Sequence, residues 1–525
     1  MLHGGVLFGI PALFSQGLEQ FFKVFHSLSP GFYGLHHIVL TMCFMFLSRI
    51  KNPEQLKGYP PGELGKLLGL DRVPEVGHFR HKLGEIINQS KSDELHKVLF
   101  QEWLQEMPEH FFYIDGHVKV YHGKKANLQK RYVSREQLCL SGTTEFWINE
   151  EGGNPLMVIT EELNEKLKAS VESAVESILP ELPAPGDSQV PVFTMIFDRE
   201  SYEPSWFQKL WDQHQVAIIT YRKNVQDKWE ESYFKNRCVQ IFGTNVEMQL
   251  CECQVELDGY QFREIRKLGE GGHQVAVLTT HPSLEMEKAA AKIFNRWYQE
   301  NFFKYINENF DLDRLLEYGI EEIAPQRTVP NPPYQRLSNR LKKAREQKGR
   351  IEAKIFQKLE RNDKENITIE EAMKSLSQSS ELLEQLRVQK AYIEQLIKER
   401  SQYKARVSVE EMPEEKRYNK LKTESKKFKN ALIMLVYRAE TALLNYITPY
   451  FKYSYKEGRA LLQTIFTTNA DFYPDYKNGT LTVTLHSLAS PRTTKAAQKL
   501  CELLNDTETY YPYTNLRLIF KTMAD

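Results

Sequence analysis

FFYIDGH, running from Phe111 to His117, is the stretch on which the fold turns. Phe111 to Ile114 form an apolar run of aromatic and β-branched residues, the signature of a buried strand, and it stops without a polar spacer at Asp115-Gly116-His117. Downstream, Leu138 to Ile148, Gly152-Gly153 and Leu156 to Thr160 read as a hairpin. Thr160, followed by Glu161, Glu162 and apolar residues at Leu163, Leu167, Val171, Val175 and Ile178, predicts an N-capped amphipathic helix that the PAPGDS loop ends. A second apolar run, Val190 to Phe197, also ends directly in an acid, Asp198. A helix over roughly Pro204 to His214 and a strand from Val216 to Tyr221 follow.

Strand, hairpin strands, helix, strand, helix, strand is the succession of an RNase H-like α/β core, here over 106–221. Residues 222–284 read as a β-rich insertion, after which a helix from Ser283 to about Phe310 resumes the core at 285–320. Residues 1–105 read as helical. In that region, GELGKLLG and then Glu75 to Asn88, with His78, Arg80, His81 and Lys82, fit a helix-turn-helix that could read DNA or an ordinary helical hairpin with a basic face. The segment 330–430 reads as a helical hairpin or coiled coil, with Thr368 and Glu371 as a capping box and a narrow stripe through Leu382, Leu386, Ile393 and Leu396 or Ile397. Residues 431–525 read as a closing α/β region. The expected class is therefore α/β: an RNase H-like core interrupted by a β-rich insertion, between an all-α N-terminal region and a helical, partly coiled-coil C-terminal region.

The chain has 525 residues, with 69 Lys plus Arg against 69 Asp plus Glu, a globular composition of several structural units. That neutrality is segregated. Asn331 to Asn430 carries 25 basic and 16 acidic residues, net plus nine, and the remainder is minus nine, a split expected of a polyanion-facing element or of a solvated coiled coil. Six scattered cysteines make no disulfide framework, and Cys251 with Cys253 lacks the second pair a zinc site needs, which points to a reducing compartment. The run Ile38 to Leu47 is too short to span a membrane and reads as a buried helix, and the first residues carry no signal-peptide pattern.

Two strands that end side by side in Asp115 and Asp198 can present both carboxylates to one hard cation, which takes oxygen ligands. A strand-end Asp is more commonly a turn or a helix cap, so a third acid is needed to make a site. Glu300, in RWYQENFFKY on the helix after the insertion, is the candidate third ligand, with Glu165, Glu200 and Glu285 as rivals. Arg296 lies four residues before Glu300, on the same helical face, where it can bind phosphate or orient the carboxylate. Lys119, Lys124, Lys125, Lys130, Arg131 and Arg135 cluster after Asp115, and Arg222 and Lys223 follow Tyr221. Such basic groups read as DNA-backbone contacts or as a solvated loop. Trp229 could stack on an extruded base or pack in the core.

FYIDGH around Asp115, FDRE around Asp198 and RWYQENFFKY around Glu300 give the chain its resemblance to DDE transposases of bacterial insertion sequences, over about residues 105–320. In that family's helix signature, Y-x2-R-x3-E-x6-K, Arg296 and Glu300 match. The tyrosine place is held by Ile293 and the lysine place by Asn307, while Lys304 lies one turn from Glu300. The resemblance implies that Asp115, Asp198 and Glu300 are catalytic and hold two Mg²⁺ or Mn²⁺ ions. It further implies cleavage at the element's ends and transfer of the freed 3′-hydroxyl to target DNA. The partners implied are double-stranded DNA, as terminal inverted repeats and target, and a second copy of the chain in a homodimer. The setting implied is the cytoplasm, at the nucleoid. A metal-dependent nuclease without strand transfer and a decayed DNA-binding relic are the alternatives.

Overall fold

The computed structural model describes the chain except residues 122, 124–127, 129, 134–137, 163–166, 185, 188, 242, 313–319, 323–327, 363–368, 414–416, 418, 452–454 and 524–525. It also leaves the side chains of 131–133, 161–162, 297–300, 320–322, 357–362, 369–379 and 419–421 undescribed. The fold is mixed α/β, with a large mixed sheet, and divides into two compact units. One comprises Met1–Gly123, Gln129–Gly319 and Lys422–Asp525, and the other Lys124–Leu128 and Ile320–Leu421.

The first unit begins with helices α1 (Ile10–Ser15), α2 (Leu18–Val24), α3 (Leu35–Leu47), α4 (Pro61–Lys66), α5 (Val76–Ile87) and α6 (Ser92–Gln105). The apolar run read as a buried helix is α3, in which eleven of thirteen residues are buried. Strands β1 (Phe111–Val120), β2 (Lys130–Val133), β3 (Leu138–Glu150) and β4 (Pro155–Glu162) follow, then α7 (Leu167–Ile178), β5 (Phe193–Phe197), α8 (Pro204–His214) and β6 (Val216–Tyr221). At the centre of the sheet the order is β4-β3-β1-β5-β6. There β3 is antiparallel to β1, and β5 and β6 are parallel to it. Every residue of β5 is buried, as expected of a parallel strand covered on both faces.

Strands β7 (Lys235–Ile241), β8 (Thr244–Leu257), β9 (Tyr260–Leu268) and β10 (Gln274–Thr279) occupy the stretch read as an insertion. They continue the same sheet, with β10 antiparallel to β6 and the meander running out to β7.

Two local expectations change. The helix expected from Thr160 is still strand there, because Thr160 and Glu161 continue the ladder opposite Glu145 and Thr144, and the described helix starts at Leu167. The single helix expected from Ser283 to Phe310 is broken into α9 (Met286–Phe294) and α10 (Trp297–Phe310), with Asn295 at ψ −7°. The break falls where the chain passes between two cores. Ala289 and Ile293 pack with Phe111, Tyr113, Ile196 and Val277, whereas Phe302, Ile306 and Phe310 belong to the main core. Ile293, at the tyrosine place of the family signature, is thus a fully buried core residue.

The second unit comprises β11 (Ile320–Glu322), β12 (Thr328–Pro330), α11 (Pro332–Asn362), α12 (Ile369–Ser401), β13 (Arg406–Ser408) and β14 (Asn419–Leu421). The two long helices pack along Leu337, Leu341, Ala344 and Leu396, while β11 pairs β14 and β12 pairs β13, both antiparallel. Thr368 of the expected capping box lies outside the described residues.

The first unit closes with α13 (Glu424–Ile447), α14 (Tyr455–Thr467), β15 (Ala470–Asp475), β16 (Thr480–Leu485), α15 (Pro491–Asn505) and β17 (Arg517–Thr522). Helix α13 is buried almost throughout, with the apolar run Ala431–Val436 at its centre and charged residues such as Lys426, Arg438 and Glu440 buried along with it. It touches α1, α3, α6, α14, α15 and β4, so N-terminal helices, sheet and C-terminal region share one core. Gly5 marks the tightest of these junctions: a Cβ there would lie 1.9 Å from the carbonyl oxygen of Ile465.

A charged network is sealed into this core. Glu440 of α13 accepts from Arg49 at 2.5 Å, from the hydroxyl of Tyr305 at 2.6 Å and from Arg459 at 2.8 Å. The Arg459 guanidinium lies 4.0 Å from the Tyr437 ring centre. Burial alone would raise the Glu440 carboxyl, but the two guanidiniums outweigh it and hold the group below its ordinary value. Tyr305 sits on α10, so this network fixes the helix that carries Glu300.

The helices proposed as a DNA reader are partly self-satisfied. Lys82 is buried and donates to the Ser29 carbonyl at 2.9 Å, while Arg80 pairs with Glu54. No helix among the described residues is long and apolar enough to cross a membrane.

Candidate active site

Parallel pairing of β1 with β5 sets Phe111 beside Thr194, Phe112 beside Met195 and Tyr113 beside Ile196. Two residues further along each strand, that register brings Asp115 level with Asp198. Each acid anchors one oxygen on the backbone next to it. Oδ1 of Asp115 accepts from the Gly116 N–H at 2.8 Å, and Oδ1 of Asp198 accepts from the Arg199 N–H at 2.7 Å, capping the turn that follows β5. The turn-cap role expected of a strand-end Asp is therefore real for Asp198, and it occupies only one of the two oxygens.

The other two oxygens converge. Arg296 Nη1 lies 3.3 Å from Oδ2 of Asp115 and Nη2 lies 4.0 Å from Oδ2 of Asp198. One guanidinium thus spans both carboxylates at the N-terminus of α10. The side chains of Asp115 and Asp198 are 30% and 45% exposed, so solvent reaches both.

Position 300 follows from the helix. Residues 296, 300 and 303 fall within one narrow face of an α-helix. At one end of that face Arg296 reaches Asp115, and at the other the Phe303 ring stacks on His117 with centroids 5.3 Å apart. His117 is two residues beyond Asp115 on β1 and hence on the same side of the strand. The backbone of Glu300 therefore passes over β1 beside Asp115, and its side chain lies outside the described ones. Among the described residues, no group of three or more His, Cys, Asp or Glu is assembled to hold a metal ion.

The rival acids are placed elsewhere. Glu285 precedes α9, eleven residues before Arg296, and pairs with Lys288 at 3.3 Å. Glu200 is exposed in the turn after Asp198, its carbonyl accepting from Lys223 at 3.4 Å, and Glu165 lies outside the described residues.

The basic residues divide sharply. Lys119 is buried, with its ammonium 3.0 Å from the fully buried carboxylate of Glu145. Lys426 lies 3.3 Å from the same carboxylate, and the Asn430 amide donates to it at 2.6 Å. Burial would raise Glu145, but the two lysines hold it well below the carboxylate range. Lys119 is committed to that pair and is not a phosphate contact. Arg222 likewise pairs with Glu264, fully buried on β9. Lys130 and Lys304 are exposed, Lys223 is half-buried beside the Asp198 turn, and the Arg131 side chain is not described. Lys124, Lys125 and Arg135 lie outside the described residues.

Trp229 is half-buried, held through its backbone by the Gln274 amide, with the Arg266 guanidinium 4.1 Å from its ring centre. Sequence reasoning did not anticipate Lys292, whose ammonium lies 3.3 Å from Glu109, pairs with Glu151 and sits 3.8 Å over the Phe111 ring. Nor did it anticipate the Glu145 cluster, although an acid inside the strand run TTEFWIN was a visible sign of a buried partner.

Two sets of comparisons bear on this chain. A protein-family model described as "Transposase protein" matches residues 2–524. No curated protein matches it significantly.

Proposed function

The chain belongs to this transposase family, and on that premise we propose that it is a DNA transposase of the DDE type, with Asp115, Asp198 and Glu300 as its acids. The central order β4-β3-β1-β5-β6, with one strand antiparallel and two parallel to β1, supports reading this part as an RNase H-like core, with β7 to β10 as its insertion. The observation that carries the proposal is the convergence of the two Oδ2 atoms of Asp115 and Asp198 on one positive group.

That geometry fits a divalent cation. Two hard oxygen donors on rigid strand ends face one point, where a positive charge already sits, and their exposure leaves room for the waters that Mg²⁺ retains. Asp115, Asp198 and Glu300 would hold two Mg²⁺ or Mn²⁺ ions. Bound there, the pair supplies charge neutralisation on the attacking and leaving oxygens of an in-line phosphoryl displacement. Water serves as nucleophile in the first displacement and the freed 3′-hydroxyl in the second, so one site can serve both.

The chain's own groups do the rest. The backbone N–H groups of Gly116 and Arg199 fix one oxygen of each acid, which leaves Oδ2 oriented inward. Arg296 keeps two like charges from repelling one another. Its planar fork also suits a phosphate, so it can move from the carboxylates to the DNA backbone as substrate arrives. Lys304 and Lys130, both exposed, and Lys223, beside the Asp198 turn, are the basic groups assigned to flanking phosphates. The DNA ends must be brought together, which favours a homodimer during catalysis.

Asp115→Asn, Asp198→Asn and Glu300→Gln are each expected to abolish Mg²⁺-dependent cleavage of the element's terminal DNA while leaving DNA binding intact. Cleavage at the wild-type rate by any of them would remove that residue from the site. Pre-cleaved ends carrying a 3′-hydroxyl separate the alternatives. Their joining to target DNA is expected of a transposase and not of a hydrolytic nuclease, and a decayed relic would neither cut nor join.

A further inference from the structure

The second unit carries its charge on one helix. From Pro332 to Asn362, α11 has ten Lys plus Arg and three Glu, whereas α12, of similar length, has five basic and six acidic residues. The two helices meet along Leu337, Leu341, Ala344 and Leu396, and the Gln389 amide donates to the Ala344 carbonyl at 2.9 Å. That seam takes up one side of α11. Arg336, Lys343 and Arg350 recur every seven residues on another side, Lys354 continues the row, and all four are exposed. Among the described residues, none of the four is in an ion pair, in contrast to Lys348, which pairs with Glu352 at 3.4 Å. On α12, charges of opposite sign meet instead, as where Arg387 lies 3.8 Å from Glu384.

A solvated helical face of a stable hairpin has no need of such a row. Its like charges repel, and from Arg336 to Lys354 eight basic residues stand against only Glu346, one turn from Lys343 and Arg350, and Glu352, which pairs with Lys348, fewer acids than the exposed positions of a coiled coil usually carry. At 1.5 Å per residue the row spans about 27 Å, roughly eight base pairs of duplex, and its seven-residue repeat keeps it straight along one face. A rod-shaped polyanion with regular charge spacing matches that shape. A membrane surface matches it poorly, because an interfacial helix needs an apolar face and that of α11 is spent on the seam, Phe356 excepted.

We propose that the row Arg336, Lys343, Arg350 and Lys354 is a rail for the phosphate backbone of double-stranded DNA, read without regard to sequence. The inference rests on the proposed DNA substrate but uses none of the acids, so the two can fail separately. Counterion release gives a slope of about −0.9 in log affinity against log salt for each phosphate neutralised, so the four together account for about −3.6.

The test uses the full chain with all four residues changed to Gln, and random-sequence duplex DNA titrated between 50 and 200 mM salt by fluorescence anisotropy. The salt slope is expected to become shallower by about 2 to 4, with equal loss of affinity for every duplex sequence. Changing Lys390 and Lys398 of α12 to Gln serves as the control and is expected to move the slope by less than half as much. An unchanged slope in the fourfold variant, with its circular dichroism preserved, overturns the rail. So does an unchanged slope with an altered sedimentation coefficient, which would assign the face to pairing between two copies. The variants Asp115→Asn and Asp198→Asn, measured alongside, keep the wild-type slope if the rail binds as proposed, whatever becomes of cleavage.

Discussion

Glu440→Gln is the sharpest probe of how the first unit is held together. The substitution preserves side-chain volume but removes the charge shared by two guanidiniums, those of Arg49 and Arg459, whose side chains are 9% and 2% exposed. The new amide also turns donor protons toward groups that can only donate. Leaving a buried charge without its partner costs about 3–5 kcal/mol, and here the carboxylate answers two cations and the Tyr305 hydroxyl at once. Equilibrium urea unfolding of the variant, followed by tryptophan fluorescence, is expected to show a loss in that range. Adding Arg459→Met removes one of the stranded cations, and a coupling of about 0.5–3 kcal/mol should then appear, so that the double variant is less destabilised than the sum of the singles. A loss below about 1 kcal/mol, the size of an exposed pair, would mean that water reaches the network and that its sealing into the core is misread.

Lys119→Ala should lower stability and leave the salt dependence of DNA binding unchanged, because its ammonium serves Glu145. The loss is expected toward the low end of about 3–5 kcal/mol, since Lys426 stays 3.3 Å from the same carboxylate, and a changed salt slope with unchanged stability would return Lys119 to the DNA-facing set. His281 is held down to about 4, chiefly by burial and then by Arg263. Its Nδ1 accepts from the Leu284 N–H at 3.1 Å, a bond only the unprotonated nitrogen can make. A depressed folded-state value means stability that is full above the unfolded histidine range near 6.5 and lost as pH falls toward 4. Thermal melts from pH 7 to pH 4.5 should show that loss in the wild type and less of it in His281→Asn, and identical slopes in the two would exclude His281 as a source.

The acid pair was legible because nothing but local pattern is needed to see it. An apolar run cut off by Asp, twice, with a helix between, marks two parallel strand ends, and parallel strands place like positions side by side. What could not be read was anything set by a distant partner. Lys119 shares the Asp115 side of β1 by simple alternation, yet whether that side faces phosphate or a buried Glu145 depends on α13, three hundred residues away. Thr160 has the residues of a helix cap and is strand, because Glu145 offers a ladder that outweighs local preference. The break at Asn295 has no glycine or proline to announce it. It comes from two cores competing for one apolar helix. Of the helices in this core, α3 was recognisable as buried from the apolar run Ile38 to Leu47, whereas the near-complete burial of α13, with its many charged residues, was not.

The tie between Tyr305 and Glu440 sets an order of events during synthesis. The helix bearing Glu300 leaves the ribosome more than a hundred residues before the carboxylate that seats it, and Arg459 comes later still. Until those groups arrive, the Tyr305 hydroxyl has Arg49, 2.6 Å away, but neither the carboxylate nor the second guanidinium of the finished network. A prematurely terminated product would carry every acid of the proposed site and yet lack the clamp that holds the third in place. Full seating of α10, and with it of the proposed third acid, therefore waits on the C-terminal part of the polypeptide.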